Sequence, residues 1–159
     1  MFLAGVVGAL VLAAAAVLLF NVAGGDGDKP KPQPTVAKKL PKGVKCQGAS
    51  CAGKDPENMG CGGEHAKTSS SSYVGGSFVE VRYSKVCRAG WARVTGAGQG
   101  DSVKVTAGKR SETGAVGTGN DAYTAMVPAK SEAAVRACVT GSGGTRGCTT
   151  PGTTSPSGQ

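Results

Sequence analysis

The 159-residue chain contains no isoleucine, and no leucine follows Leu40. A core of long aliphatic side chains is thereby excluded from everything after that position. Aromatic residues make up 4% of the chain, with one tryptophan, Trp91, and a single histidine, His65, leaves one imidazole for any acid–base chemistry. What remains for a core between Cys46 and Cys148 is eleven valines, much alanine, Met59 and Met126, and the rings of Tyr73, Phe78, Tyr83, Trp91 and Tyr123. Valine favours strands, because its branched Cβ fits a pleated, half-buried surface. Such a core is thin, and a small domain retains only about 5–15 kcal/mol of net stability. The six cysteines, Cys46, Cys51, Cys61, Cys87, Cys138 and Cys148, supply the difference. An even cysteine set in a small domain points to disulfides and an oxidising compartment, and each bridge contributes roughly 2–4 kcal/mol by restricting the unfolded chain.

From Phe2 to Phe20 the chain carries no charged and no polar side chain. An apolar run of this length can cross a bilayer. A cleavable signal peptide would begin with basic residues, have a shorter apolar stretch and end in small-x-small; here the start lacks Lys and Arg, and Asn21 stands where a small residue is wanted. Residues 1–23 are therefore expected to form a transmembrane helix or uncleaved signal anchor. Residues 24–45, with Pro30, Pro32, Pro34 and Pro41, read as an extended Pro/Lys-rich linker. Residues 46–148 read as a disulfide-rich β domain, and residues 149–159, made of Thr, Ser, Pro, Gly and Gln, as a disordered tail. Lys29, Lys31, Lys38 and Lys39 would keep the C-terminal side in the cytoplasm by the positive-inside rule, whereas the cysteines place it outside. A charged segment upstream of Met1 would reconcile the two. The expected location is the cell membrane, single-pass, with the C-terminal domain extracytoplasmic.

Half of the net charge of +8 lies between Asp26 and Lys45, where six lysines face two aspartates; the other half lies between Cys46 and Cys148. Outside the cytoplasm a basic surface meets the membrane's anionic lipid or an anionic wall polymer, not nucleic acid. The plainer reading is that these charges keep a glycine-rich surface soluble.

Asp55-Pro56-Glu57 reads as a helix N-cap with proline at the first helical position, giving one or two turns through Met59. Alternation then predicts a strand over Ser77–Tyr83, with Val79, Val81 and Tyr83 on one face and Phe78, Glu80 and Arg82 on the other. Further strands are expected over Ala89–Thr95, Ser102–Ala107, Tyr123–Val127 and Ala133–Thr140, the last two joined as a hairpin. The fold class is all-β, a small disulfide-stabilised antiparallel sandwich or barrel preceded by one transmembrane helix.

For metals, Cys46, Cys51, Cys61 and His65 give C-x4-C-x9-C-x3-H, which matches no zinc module and strands Cys87, Cys138 and Cys148. Disulfides account for the cysteines better, with no metal and no cofactor expected. Six cysteines allow 15 pairings; the Gly141–Gly144 loop favours Cys138 with Cys148, and Cys87 is expected to tie the N-terminal segment to the sheet. For catalysis, His65 with Asp55 and one of Ser69–Ser72 is the only candidate triad, and the serine run reads as a mobile loop. The carboxylates are scattered singly, no motif carries a mechanism, and the chain is not expected to be an enzyme. For binding, Arg82–Arg93 gathers Arg82, Arg88 and Arg93 with Trp91. Arginine forks and aromatic faces suit phosphate or carboxylate ligands, so these four are the candidate ligand-binding residues. The competing reading makes Trp91 the core plug, with arginine stems packed over it.

CxGxxCxGKDPxxxxC over Cys46–Cys61, followed by VEVRYSKVCRAGWARV over Val79–Val94, resembles the YjfA-like family. The resemblance spans Cys46–Cys148. It implies a domain of unknown function in secreted and membrane-anchored proteins of Gram-positive bacteria. In actinobacterial relatives it implies a helix-turn-helix region and one membrane span ahead of the domain, of which this chain has the span only. The family carries no catalytic residues over. The expected function is a membrane-tethered, non-catalytic binding or sensing module at the bacterial cell envelope; the alternative is a small secreted-type effector or inhibitor that binds another protein.

Overall fold

The computed structural model describes residues 39–156. The expected membrane span and most of the linker lie outside these residues, and among the described residues no helix is long and apolar enough to cross a membrane. Among the described residues nine strands follow one another: β1 (Lys67–Val74), β2 (Ser77–Ser84), β3 (Ala89–Thr95), β4 (Ser102–Ala107), β5 (Arg110–Ala115), β6 (Asp121–Tyr123), β7 (Val127–Pro128), β8 (Val135–Thr140) and β9 (Arg146–Cys148). They form two antiparallel sheets. One runs β1-β2-β3, with β6 and β7 both paired to β3; the other runs β5-β4-β8-β9.

The expected alternation sets the core. Val79, Val81 and Tyr83 of β2 and Ala92 and Val94 of β3 pack against Val103 and Val105 of β4 and Val135, Ala137 and Val139 of β8. Because these side chains are short, the two sheets close in on each other. A Cβ on Gly114 would sit 2.5 Å from the Tyr123 carbonyl oxygen, and one on Gly147 would sit 2.6 Å from Val74 Cγ2. At Gly114 the β5 edge meets the backbone beside Tyr123, and at Gly147 the β9 edge meets the Val74 side chain, so neither glycine has room for a Cβ without a shift of its neighbours.

Three strands, β1, β5 and the short β9, have no apolar alternation and were not expected. In β1 the serine run, read as a mobile loop, pairs with β2 across a Gly75-Gly76 turn with φ of 57° and 90°. Left-handed φ at both positions is what a two-residue hairpin of this hand requires. A bulge at Ser69 shifts the register between Thr68 and Ser70, and Ser70 and Ser71 are both buried. The β5 strand, RSETGA, pairs with β4 around Gly108.

Two expectations need correction. The strand predicted over Tyr123–Val127 is split, because its middle changes partner: the Met126 amide donates to Lys54 O (2.9 Å) and Met126 O accepts from Gly53 N (3.0 Å). It also forms no hairpin with the following strand, since β6 and β7 belong to one sheet and β8 to the other. Pro128–Glu132 is instead an arch between the sheets. The segment after Cys148, expected to be disordered, is hydrogen-bonded as far as Ser155. Thr149 is fully buried, its amide donating to Ala137 O at 2.8 Å, and Ser71 exchanges bonds with Thr153 O (2.9 Å) and the Ser155 amide (2.9 Å to Ser71 Oγ). The exposed edge of β1 is thereby covered, which blunts its tendency to pair with other chains.

At one end of the sheets Asp101 ties two loops together. Its Oδ2 accepts from the Gly98 amide at 2.8 Å and its Oδ1 from the Ser142 amide at 2.7 Å. These bonds hold its carboxyl below the ordinary aspartate value of 3.8. A depressed folded-state value means stability that is present above about pH 4 and lost as pH falls further. Asp101→Asn is expected to melt at a lower temperature than wild type at pH 7, because an amide offers one acceptor oxygen where two amides must be met. The gap is expected to narrow as both chains are melted at successively lower pH below 3.8. A constant gap across that range would show that the carboxylate charge is not what holds the loops.

Candidate functional site

The cysteine-rich segment Leu40–Ala66 covers the outer face of the first sheet. Bridges join Cys46 to Cys51 and Cys61 to Cys87, while Cys138–Cys148 pins β8 to β9. The expected Cys138–Cys148 bridge and the tie from Cys87 to the N-terminal segment are both present. The Asn58 amide donates to Asp55 Oδ1 at 2.8 Å, but the helix expected through Met59 does not form: residues 56–60 are a hydrogen-bonded turn, closed by the Met59 amide on Asp55 O at 3.1 Å. A second core forms beneath this cover from Val44, Cys46, Cys51, Cys61, Cys87, Ala89, Trp91 and Met126.

Trp91 is 4% exposed in this layer. It serves as the core plug, and a ligand has almost none of its face to stack on. Arg82 and Arg93 flank it on the same sheet face and are held by a polar chain. Arg82 Nη1 donates to Thr68 Oγ1 (2.8 Å), Thr68 Oγ1 donates to Glu80 Oε1 (2.7 Å), and Glu80 Oε2 lies 3.7 Å from Arg93 Nη1. Glu80 is buried, and these partners compensate its charge. Arg82, Trp91 and Arg93 share a cleft of about 170 Å³ with Glu57, Gly63 and Tyr123. With Glu57 and Glu80 beside the two arginines, this cleft holds charge of both signs.

Arg88 lies elsewhere, at the β2–β3 turn. Its φ is 50°, which makes it the one non-glycine residue with left-handed φ among the described residues. That conformation costs a non-glycine residue on the order of 1 kcal/mol and persists where the surroundings impose it. Here the surroundings do so on every side. Val86 O accepts from Gln47 Nε2 (2.8 Å), Cys87 O from the Gly48 amide (2.7 Å) and Arg88 O from the Ala129 amide (3.0 Å), and Cys87 is bridged to Cys61. The turn is a rigid mount for an exposed guanidinium.

Two concavities meet at this residue. One, of about 330 Å³, is lined by Tyr83, Lys85, Arg88, Lys130, Ser131 and Glu132. Its neighbour, of about 300 Å³, is lined by Gly48, Ala49, Arg88, Pro128, Ala129 and Lys130. The acidic member, Glu132, is already matched by Lys67 Nζ at 2.8 Å. Lys85, Arg88 and Lys130 are exposed and form no ion pair among the described residues. The Tyr83 hydroxyl donates to Ala129 O at 3.0 Å and so fixes the arch that presents Lys130. Burial pushes the Tyr83 hydroxyl up against a smaller opposing pull from Arg88, which keeps it a donor at neutral pH. A cleft with three unmatched cations and a tied-off carboxylate attracts anions.

The four residues singled out in the sequence are thus split, Arg82, Trp91 and Arg93 in one cleft and Arg88 in another. Lys130 escaped notice because it reaches Arg88 only through the arch between the sheets. Among the described residues no hydrogen bond joins His65 to Asp55 or to any of Ser69–Ser72. Asp55 Oδ2 accepts from Tyr123 OH (3.0 Å), a bond that pushes the Tyr123 hydroxyl up, while His65 Nε2 lies 3.9 Å from Glu64 and the serines belong to β1. Cys46, Cys51 and Cys61 do converge, but the fourth member of the group is Cys87 in place of His65.

A family model described as "Protein of unknown function (DUF2690)" matches residues 49–138. No curated protein and no solved structure matches the chain.

Proposed function

The chain belongs to this family of proteins of unknown function, and from that premise we propose that residues 39–156 form a non-catalytic binding module of the bacterial envelope, whose cleft at Lys85, Arg88 and Lys130 receives a glycerol phosphodiester. In this reading the chain is a YjfA-like protein of a Gram-positive, actinobacterial cell. The apolar segment 1–23 is its single membrane anchor, and the bridged domain stands outside the membrane. The observation that carries the proposal is Arg88 itself, an arginine fixed in a conformation natural to glycine, at the junction of two clefts whose cations form no ion pair among the described residues. An arginine fork reads phosphate bidentately, and the two lysines add point charges. Glycerol phosphodiesters occur both in wall polymers and in lipid headgroups. The linker lysines Lys29–Lys45 carry the same sign and would draw the domain toward either.

The test compares the full chain with two charge-reversed forms. One is Arg88→Glu with Lys130→Glu; the other is Lys104→Glu with Arg136→Glu, which alters net charge equally at exposed positions on the second sheet. Binding is measured against soluble poly(glycerol phosphate) and against phosphatidylglycerol vesicles over a salt series. At about 1 kcal/mol per basic residue near an anionic surface, the cleft pair is expected to bind roughly 30-fold or more weakly, and affinity is expected to fall steeply with salt. The polymer arm and the vesicle arm tell the two sources apart. Equal loss in both variants would reduce the effect to net charge. Absence of binding to both probes even at low salt would overturn the anionic ligand and leave the alternative, a protein target held by the disulfide-rich loops.

A further inference from the structure

We propose that Cys46, Cys51, Cys61 and Cys87, in the thiol state of the chain, form a tetrahedral zinc site that takes the place of their two bridges. The four Sγ atoms all lie within 4.8 Å of one another and all four residues are buried. Between the bridges, Cys46 Sγ and Cys61 Sγ are 3.8 Å apart. A zinc ion with four thiolates at about 2.3 Å places its sulfurs about 3.8 Å from each other, so this contact is already an edge of the tetrahedron. The other sulfurs need move only on the scale of an ångström, from bonded pairs to corners.

The frame that gathers them does not depend on the bridges alone. The Lys45 amide donates to Met59 O (3.0 Å), the Gly48 amide to Cys87 O (2.7 Å), the Cys61 amide to Pro56 O (2.8 Å), and Gln47 Nε2 to Val86 O (2.8 Å). Each of these bonds lies within one or two residues of a ligand. Cys138 and Cys148 sit on the other sheet as an isolated pair and cannot complete such a set. The spacing C-x4-C-x9-C conceals the site because the fourth ligand comes from the β2–β3 turn.

The chemistry balances with a named reductant. A water-soluble phosphine converts each disulfide into two thiols and is itself oxidised to the phosphine oxide, with water supplying the oxygen and the two protons. The four thiols then release four protons to solvent as one divalent ion binds. The resulting anionic centre has basic neighbours in sequence at Lys45, which precedes Cys46, and Arg88, which follows Cys87. Any newly made chain passes through this thiol state before oxidation, and zinc would hold the outer layer in place during that interval.

The test uses the full chain, reduced with phosphine under argon and titrated with Co²⁺, then Zn²⁺. One Co²⁺ per chain is expected, with the sulfur-to-metal charge-transfer bands of a tetrathiolate and displacement by equimolar Zn²⁺. Trp91 packs in the same cluster as the four sulfurs, so bound cobalt is expected to quench its fluorescence. The zinc form is expected to melt cooperatively, where the metal-free reduced chain is expected to have lost its cooperative transition. Cys61→Ser with Cys87→Ser is expected to lose affinity by roughly 100-fold or more, whereas Cys138→Ser with Cys148→Ser keeps it. Less than one equivalent bound by the reduced wild-type chain overturns the proposal, and so does a spectrum of mixed nitrogen or oxygen ligation. A tetrathiolate spectrum with no quenching of Trp91 and no cooperative melting also overturns it, since the metal would then sit on an unfolded chain.

Discussion

Replacing Cys61 and Cys87 together by alanine is expected to destabilise the oxidised chain by about 3.5 kcal/mol, the loop-closure entropy that a bridge of this span removes from the unfolded state. The bridge spans a sequence separation of 26 residues, the widest of the three. Among the described residues it is also the one bridge between the cysteine-rich cover and the sheet beneath it, beyond the main chain that runs from Ala66 into β1. The Cys46–Cys51 bridge closes a separation of 5 and Cys138–Cys148 one of 10, so their opening is expected to cost less, roughly 2–3 kcal/mol each. The three together come to about 8 kcal/mol, against a typical net stability of about 5–15 kcal/mol for a domain. Full reduction without metal is therefore expected to abolish cooperative melting at ordinary temperatures. Thermal melts of the oxidised, reduced and doubly substituted chains, followed by near-ultraviolet circular dichroism, check both statements. A reduced chain that melts where the oxidised one does would show that the valine cores suffice without the cysteines.

The second large effect is at Trp91. Its substitution by alanine is expected to cost about 3–5 kcal/mol, the range for removing a large ring from a packed core. It is the largest side chain of the outer layer, whose other buried members are the four cysteines, Val44, Ala89 and Met126, with Leu40, Met59, Ala66 and Val86 packed against them. The bridges hold those neighbours in place, so they cannot collapse to fill the space. Chemical denaturation of the oxidised variant measures this directly. A surface tryptophan would give a change within about 0.5 kcal/mol, and such a result would return Trp91 to the candidate ligand-binding residues. Arg88→Ala, by contrast, leaves both cores intact and is expected to show little loss of stability, while anion binding weakens.

Which strands could be read from the chain follows from what each one touches. In Ser77–Ser84, Ala89–Thr95 and Ser102–Ala107 one face meets the inner core, so apolar side chains must recur every second residue, and all three were legible to within a residue. In β1 and β5 the partners are solvent, the C-terminal segment or polar neighbours. Nothing there forces apolar residues to alternate, and the serines of β1 resemble a loop. The Gly75-Gly76 pair was the one local sign of its hairpin. The break between β6 and β7 had no local sign at all, because it arises when Met126 leaves β3 to pair with Lys54, a residue from the distant cover.

By itself the sequence determined the all-β class, because a valine-rich chain with neither isoleucine nor late leucine can build little else. It pointed to paired cysteines, because an even set accompanies so thin a core, and all three bridges are present. It also determined the Cys138–Cys148 pairing, because a short glycine loop brings those two together locally. Only the tertiary structure decided that Cys61 meets Cys87, that Trp91 is covered, that Glu80 ties Arg82 and Arg93 into a polar chain, and that Arg88 joins Lys85 and Lys130 in a separate cleft. These outcomes depend on which face of the sheet the cysteine-rich segment covers and where the arch between the sheets lands. Contacts of that kind are made between segments far apart in the chain, and they are set by packing of the whole domain, which no local pattern encodes.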